Sequence, residues 1–277
     1  MGEDPPFIVA VYATLLLLGG LVALLHCMHR RLFILRNTPV PVWRISPSDF
    51  GAFVGALILV FLLVQLTLAS ILPEADARNG LPPHLMLVAG ALSQLTFLAV
   101  WAFFRLNFPE QFRERFSSFR LSWRRATAFA VYAFFAFIPV FMAINIAWTV
   151  TLEAILPEAL KPQEMVAILL ESHSLPLFAG LFLLLVVLAP VAEELIFRGC
   201  LYRFLKNTLP VSAAVLLSSL LFGAIHLHLA GLPVLVAFGA LLCLVYERTG
   251  SLKTPILLHA FFNLNTFVIT ALQSGNQ

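Results

Sequence analysis

The stretch LPLFAGLFLLLVVLAPVAEELIFRG, residues 175–199, decides how the rest of the chain is read. It is apolar and long enough to cross a bilayer, since about 20 helical residues span about 30 Å of hydrocarbon. Yet Glu193 and Glu194 stand side by side inside it. A charged side chain at the bilayer centre costs about 2.5–3.5 kcal/mol on insertion scales. A chain keeps two of them there only if they pair, carry protons, bind an ion or do chemistry. His226, His259 and Asn263 add three polar groups in two apolar segments downstream. Together the five side chains make the chain a membrane-enzyme candidate.

The composition around this stretch agrees with a membrane setting. Of 277 residues, 61% are hydrophobic and 11% charged, where soluble domains carry about a quarter charged residues. Runs long enough to span occur at about 7–28, 50–72, 84–104, 126–150, 176–197, 209–229, 232–247 and 254–272. The expected fold is therefore all-α: a polytopic membrane helix bundle of about eight transmembrane helices. Residues 1–277 read as a single membrane domain, with a catalytic core over 176–272 built by the last four helices. The apolar run from Phe7 to Met28 is too long for a signal peptide, has no basic residue before it, and reads as a retained first span. Cys27, Cys200 and Cys243 show no CxxC or Cys/His spacing and read as packed, reduced thiols.

Charge placement orients the bundle. Of the 17 lysines and arginines, all but Arg78 and Lys161 fall in loops that follow odd-numbered spans. The positive-inside rule puts those loops in the cytoplasm and both termini outside, in a plasma (cell inner) membrane. No basic stripe with interleaved aromatics is present, so nucleic acid is not an expected partner. Two connecting segments read as interfacial: LNFPEQFRERFSSFRLSWRR, residues 106–125, and KPQEMVAILLESHS, residues 161–174, a cap over the bundle or a gate for lateral entry.

Helical arithmetic divides the polar residues by task. Glu194 and Arg198 are four apart and share a face, whereas Glu193 lies about 140° round from Arg198 and escapes that pairing. An unpaired carboxylate in an apolar setting is suited to proton transfer. If the fifth helix turns near Leu209-Pro210, Glu193 and His226 each lie about 24 Å along their helices from the turn and reach a similar depth. Phe222 sits four residues before His226 and packs beside the imidazole. His259 and Asn263 repeat the spacing and offer two neutral hydrogen-bond donors, as an oxyanion hole requires. His228 and Asn265 point off these faces.

Three motifs in order carry a resemblance: EExxxR at Glu193–Arg198, FxxxH at Phe222–His226 and HxxxN at His259–Asn263. The chain resembles the CPBP family of intramembrane proteases, the CAAX prenyl endopeptidases of type 2 and bacteriocin-processing enzymes also called ABI proteins. The resemblance covers about residues 176–272. It implies a membrane-embedded, glutamate-dependent endopeptidase with Glu193 as general base and His226 helping to hold and activate water. His259 and Asn263 would stabilise the oxyanion, while Glu194 and Arg198 would lock the local structure. The implied partner is a protein or peptide substrate, lipidated where the enzyme processes CAAX termini, within the lipid bilayer. No cofactor is expected, because HExxH is absent and Asn263 suits hydrogen bonding better than metal ligation. A zinc ion held by two histidines and a glutamate is the alternative. Transport or proton relay, and a non-catalytic immunity or scaffold role, are the competing classes of function.

Overall fold

The computed structural model of the chain describes residues 7–30, 40–71, 82–108, 121–160 and 174–274. Eight helical segments follow in chain order: α1 Phe7–Arg30, α2 Pro47–Ile71, α3 Pro83–Asn107, α4 Trp123–Ile155, α5 Leu175–Thr208, α6 Val211–Ala224, α7 Leu232–Thr249 and α8 Lys253–Ser274. There is no strand among the described residues, and the fold is all-α. Seven of the helices are long and apolar enough to cross a membrane; α6, at 14 residues, is shorter than the run from which a span is expected. Most of the two connecting segments suspected of lying at the interface, residues 109–120 and 161–173, falls outside the described residues.

Local signals set the helix ends. Pro83 opens α3, where its missing N–H costs nothing, and the Ser122 hydroxyl caps α4 by accepting from the Arg125 amide. Gly250 closes α7 with φ of 62° and returns its N–H to the Tyr246 carbonyl at 2.7 Å, a left-handed cap that suits glycine.

The core lies toward the C-terminal half. In α1 to α3 the most apolar windows are 11–17% buried, against 28–39% in α4, α5, α7 and α8. Leu15, Val22, Leu25, Ile58, Leu63 and Leu66 are exposed along the outer helices, an apolar surface that only lipid would solvate well. Inside, Phe134, Phe141, Phe197, Phe222, Phe238 and Leu258 close one continuous cluster between α4, α5, α6, α7 and α8. All three cysteines are free and buried.

At the basic end of the bundle a second polar network fastens residues 40–43 to the core. Glu247 on α7 receives the Tyr202 hydroxyl at 2.9 Å, the Lys206 ammonium, and the Val40 amide at 3.4 Å. Lys206 also donates to the Val40 carbonyl, Arg203 donates to the Pro41 carbonyl, and the Trp43 amide donates to the Arg203 carbonyl. Both oxygens of Glu247 are occupied, and the residue is fully buried.

Candidate active site

α5 is not a uniform α-helix. Leu183–Leu188 and Leu195–Tyr202 are wound as π-helix and flank the short α-helical stretch Ala189–Glu194. Such turns widen a helix locally and are frequent at functional sites. The first has a traceable consequence. The Ala189 amide bonds the Leu184 carbonyl, five residues back, so it does not reach Leu185. The next donor in that pattern would be residue 190, a proline without an N–H. The freed Leu185 carbonyl instead accepts the Asn263 carboxamide at 2.8 Å.

The end of α6 supplies a similar anchor. His226 gives its own amide to the Gly223 carbonyl, three residues back, leaving the Phe222 carbonyl open. The imidazole Nδ1 lies 2.7 Å from that oxygen. A carbonyl only accepts, so Nδ1 carries the proton and Nε2 presents a lone pair in the neutral ring. The chain then reverses at Leu227, which adopts φ of 48°, an uncommon value for a residue with a branched side chain.

Arg198 and Glu194 form the expected pair, Nη1 to Oε1 at 2.7 Å, with both side chains fully buried. The same Glu194 oxygen also meets His259 Nδ1 at 2.9 Å. Arg198 further donates to the Gly239 carbonyl at 3.1 Å and lies over the Phe222 ring at 4.5 Å from its centre. Gly239 is required by close approach, because a Cβ there would stand 3.0 Å from the Ser219 backbone. Phe222 and Phe238 wall the histidines: Phe222 meets His226 and His259 edge-on at 4.9 and 5.7 Å, and Phe238 meets His259 at 5.4 Å.

Glu193 faces the other way, into the space between the histidines. Its Oε2 is 3.9 Å from His226 Nε2 and 3.8 Å from His259 Nε2, and accepts no hydrogen bond from any described residue. Its Oε1 accepts from Gln94 Nε2 at 3.1 Å. The structure therefore brings Glu193, Glu194, Arg198, Phe222, His226 and His259 together, with Asn263 one turn along α8 from His259 and tied to α5.

Two expectations change. The site does not come from the last four helices alone, because α3 contributes Gln94. Its signal was an amide in the apolar run ALSQLTFLAV, the same anomaly that marks Glu193. The second change concerns His259. Paired with Arg198, Glu194 is a carboxylate, so His259 Nδ1 must donate to it. Nε2 then points a lone pair at the site in the neutral ring and donates only as imidazolium. Spacing along α8 suggested a neutral donor; packing against α5 removes it.

The two imidazoles and Glu193 are also the donor set a zinc ion would need. Tetrahedral zinc with bonds of about 2.1 Å holds its ligand atoms about 3.4 Å apart. The observed separations are 3.9 and 3.8 Å, and no group of three His, Cys, Asp or Glu side chains among the described residues is arranged to hold a metal. The donors do not fit zinc as they stand.

Comparison with known proteins meets this geometry at the same residues. Residues 175–265 match the family described as Type II CAAX prenyl endopeptidase Rce1-like. The likeness to the CPBP/CAAX protease family thus lies in about a third of the chain. It is 34% identical over 83 residues to YdiL of Bacillus subtilis (strain 168), covering 30% of this chain and 33% of that protein. It is 33% identical over 101 residues to CAAX prenyl protease 2 of Homo sapiens, covering 29% and 31%. It is 36% identical over 97 residues to the UPF0177 protein YaiF of Lactococcus lactis subsp. lactis (strain IL1403), covering 33% and 41%. The chain thus spans about a third of the length of the curated relatives it matches. No solved structure matches it significantly. The matched residues resemble those of a peptidase family, and they lie among helices long and apolar enough to cross a membrane.

Proposed function

We propose that the chain is a membrane-embedded endopeptidase in which Glu193 acts as general base on a water molecule, without a metal ion. One observation carries this reading: the Glu193 oxygen that accepts no hydrogen bond from a described residue faces the Nε2 atoms of two histidines. A water about 2.8 Å from Glu193 Oε2 and from either Nε2 atom would see that pair at an angle of about 90°. It could give a proton to Glu193 while keeping a lone pair for attack.

The Glu194 carboxylate grips His259 through Nδ1 and aims Nε2 at the site. When both ring nitrogens of His259 carry protons, Nε2 donates to the developing oxyanion, with the second amide hydrogen of Asn263 beside it. In the forward step the water O–H bond breaks, its proton passes to Glu193 Oε2, and the oxygen bonds the peptide carbon. On collapse the C–N bond breaks and Glu193 returns the proton to the leaving nitrogen. His226, fixed by the Phe222 carbonyl, holds the water through Nε2.

The substrate class proposed is a membrane-anchored protein or peptide, in keeping with the likeness to a CAAX prenyl protease. Comparative peptidomics of membranes carrying the wild-type chain or Glu193→Gln tests the reaction and finds the substrate. A quenched farnesylated CAAX peptide and its non-lipidated twin separate a prenyl requirement from general peptide hydrolysis. Peptide products that depend on Glu193 support the proposal; identical peptidomes would leave a scaffold or immunity role. Cleavage unchanged by a zinc chelator is the expected outcome of metal-free chemistry, and loss restored by zinc contradicts it.

A further inference from the structure

We infer that Gln94, on α3 and outside the family-matched residues 175–265, is a positioning residue for Glu193 that stays bonded to it in both protonation states. The inference rests on the reading of Glu193 as the group that takes and returns a proton. Gln94 Nε2 donates to Glu193 Oε1 at 3.1 Å. Gln94 Oε1 is buried and accepts no hydrogen bond from any described residue.

The carboxamide suits this task as a neutral donor. While Glu193 is a carboxylate it needs a donor, which Nε2 supplies. Once Oε2 holds the proton taken from water, Oε1 is the carbonyl oxygen of the acid and still accepts from Nε2, so the bond survives the transfer without any turn of the amide. Gln94 gains and loses no proton. A lysine or arginine in its place would instead hold Glu193 as a fixed ion pair, and an apolar side chain would release Oε1.

The geometric consequence falls on Oε2. Glutamate has three side-chain torsions, and the bond to Gln94 fixes the carboxyl plane so that Oε2 faces the histidines. This links the N-terminal half of the bundle to the chemistry, since α3 packs along α5 at the segment carrying Glu193.

Gln94→Met keeps the length and shape of the side chain and removes both polar ends. Turnover of a peptide cleaved by the wild type is expected to fall about tenfold in kcat, with little change in KM, as for loss of a hydrogen bond to a charged group. The infrared difference between wild type and Glu193→Gln, recorded on protein carrying 13C-carboxyl glutamate, isolates the Glu193 carboxyl band independently of any substrate. That band is expected to shift in Gln94→Met while the thermal unfolding midpoint holds. An unmoved band together with wild-type kcat overturns the inference. Should Gln94→Met fail to fold, Gln94→Asn retains polarity without the reach; the same loss and band shift are expected, and a folded Asn variant with wild-type kcat and band overturns the inference. Cleavage that survives Glu193→Gln removes the proton-transfer reading instead, a result distinct from either outcome at Gln94.

Discussion

Glu193 and Glu247 are both buried carboxylates on membrane helices, yet their surroundings differ in every respect that matters for chemistry. Glu247 has both oxygens occupied, by Tyr202, Lys206 and the Val40 amide, in a knot that joins α5, α7 and residues 40–43. Glu193 has one oxygen held by Gln94 and the other turned toward two imidazoles. The fully bonded carboxylate has nothing left to offer a substrate. The half-bonded one has a free acceptor aimed at a shared point. In a low-dielectric interior that difference separates a group that holds the fold from one that can move a proton.

Substitutions can break or sharpen this contrast. The largest expected effect is on turnover: Glu193→Gln should lower cleavage by at least about a hundredfold, the lower range for general-base catalysis, while removing no structural partner except an acceptor for Gln94. Next comes stability. Glu247→Ala leaves Lys206 buried without its counter-charge and should cost about 3–5 kcal/mol, read as a lower unfolding midpoint with kcat preserved in the protein that remains folded. Pro190→Ala should act more gently, because its new amide competes with Asn263 for the Leu185 carbonyl. A several-fold fall in kcat without loss of stability is expected, and an unchanged rate would show that this anchor does not matter. The smallest effect belongs to Tyr202→Phe, which removes one of the bonds to Glu247 and should cost about 1 kcal/mol. Arg198→Ala joins the two behaviours. It frees the buried Glu194 that orients His259, so stability and kcat should fall together.

The sequence made much of this legible, and the reasons are local. Apolar run lengths read as spanning helices, and 100° per residue placed Glu194 against Arg198. Counting residues from the Leu209-Pro210 turn brought Glu193 and His226 to one level, and the two side chains lie 3.9 Å apart. What stayed hidden depends on packing between helices. The His259–Glu194 bond requires α8 to press on α5, and no periodicity within α8 could show which ring nitrogen it engages. Gln94 stands 99 positions before Glu193, so only its polarity marked it. The first π turn lies where Pro190 and Asn263 together settle the Leu185 carbonyl, an arrangement between two helices. Length misled at α6, where an apolar run continued through the bend at Leu227 although the helix stops at Ala224.

The most direct test compares Glu193→Gln with wild type as purified protein, measuring thermal unfolding and hydrolysis of one identified peptide side by side. The account predicts matching unfolding midpoints and no measurable hydrolysis by the variant. Hydrolysis at the wild-type rate by the folded variant would contradict it.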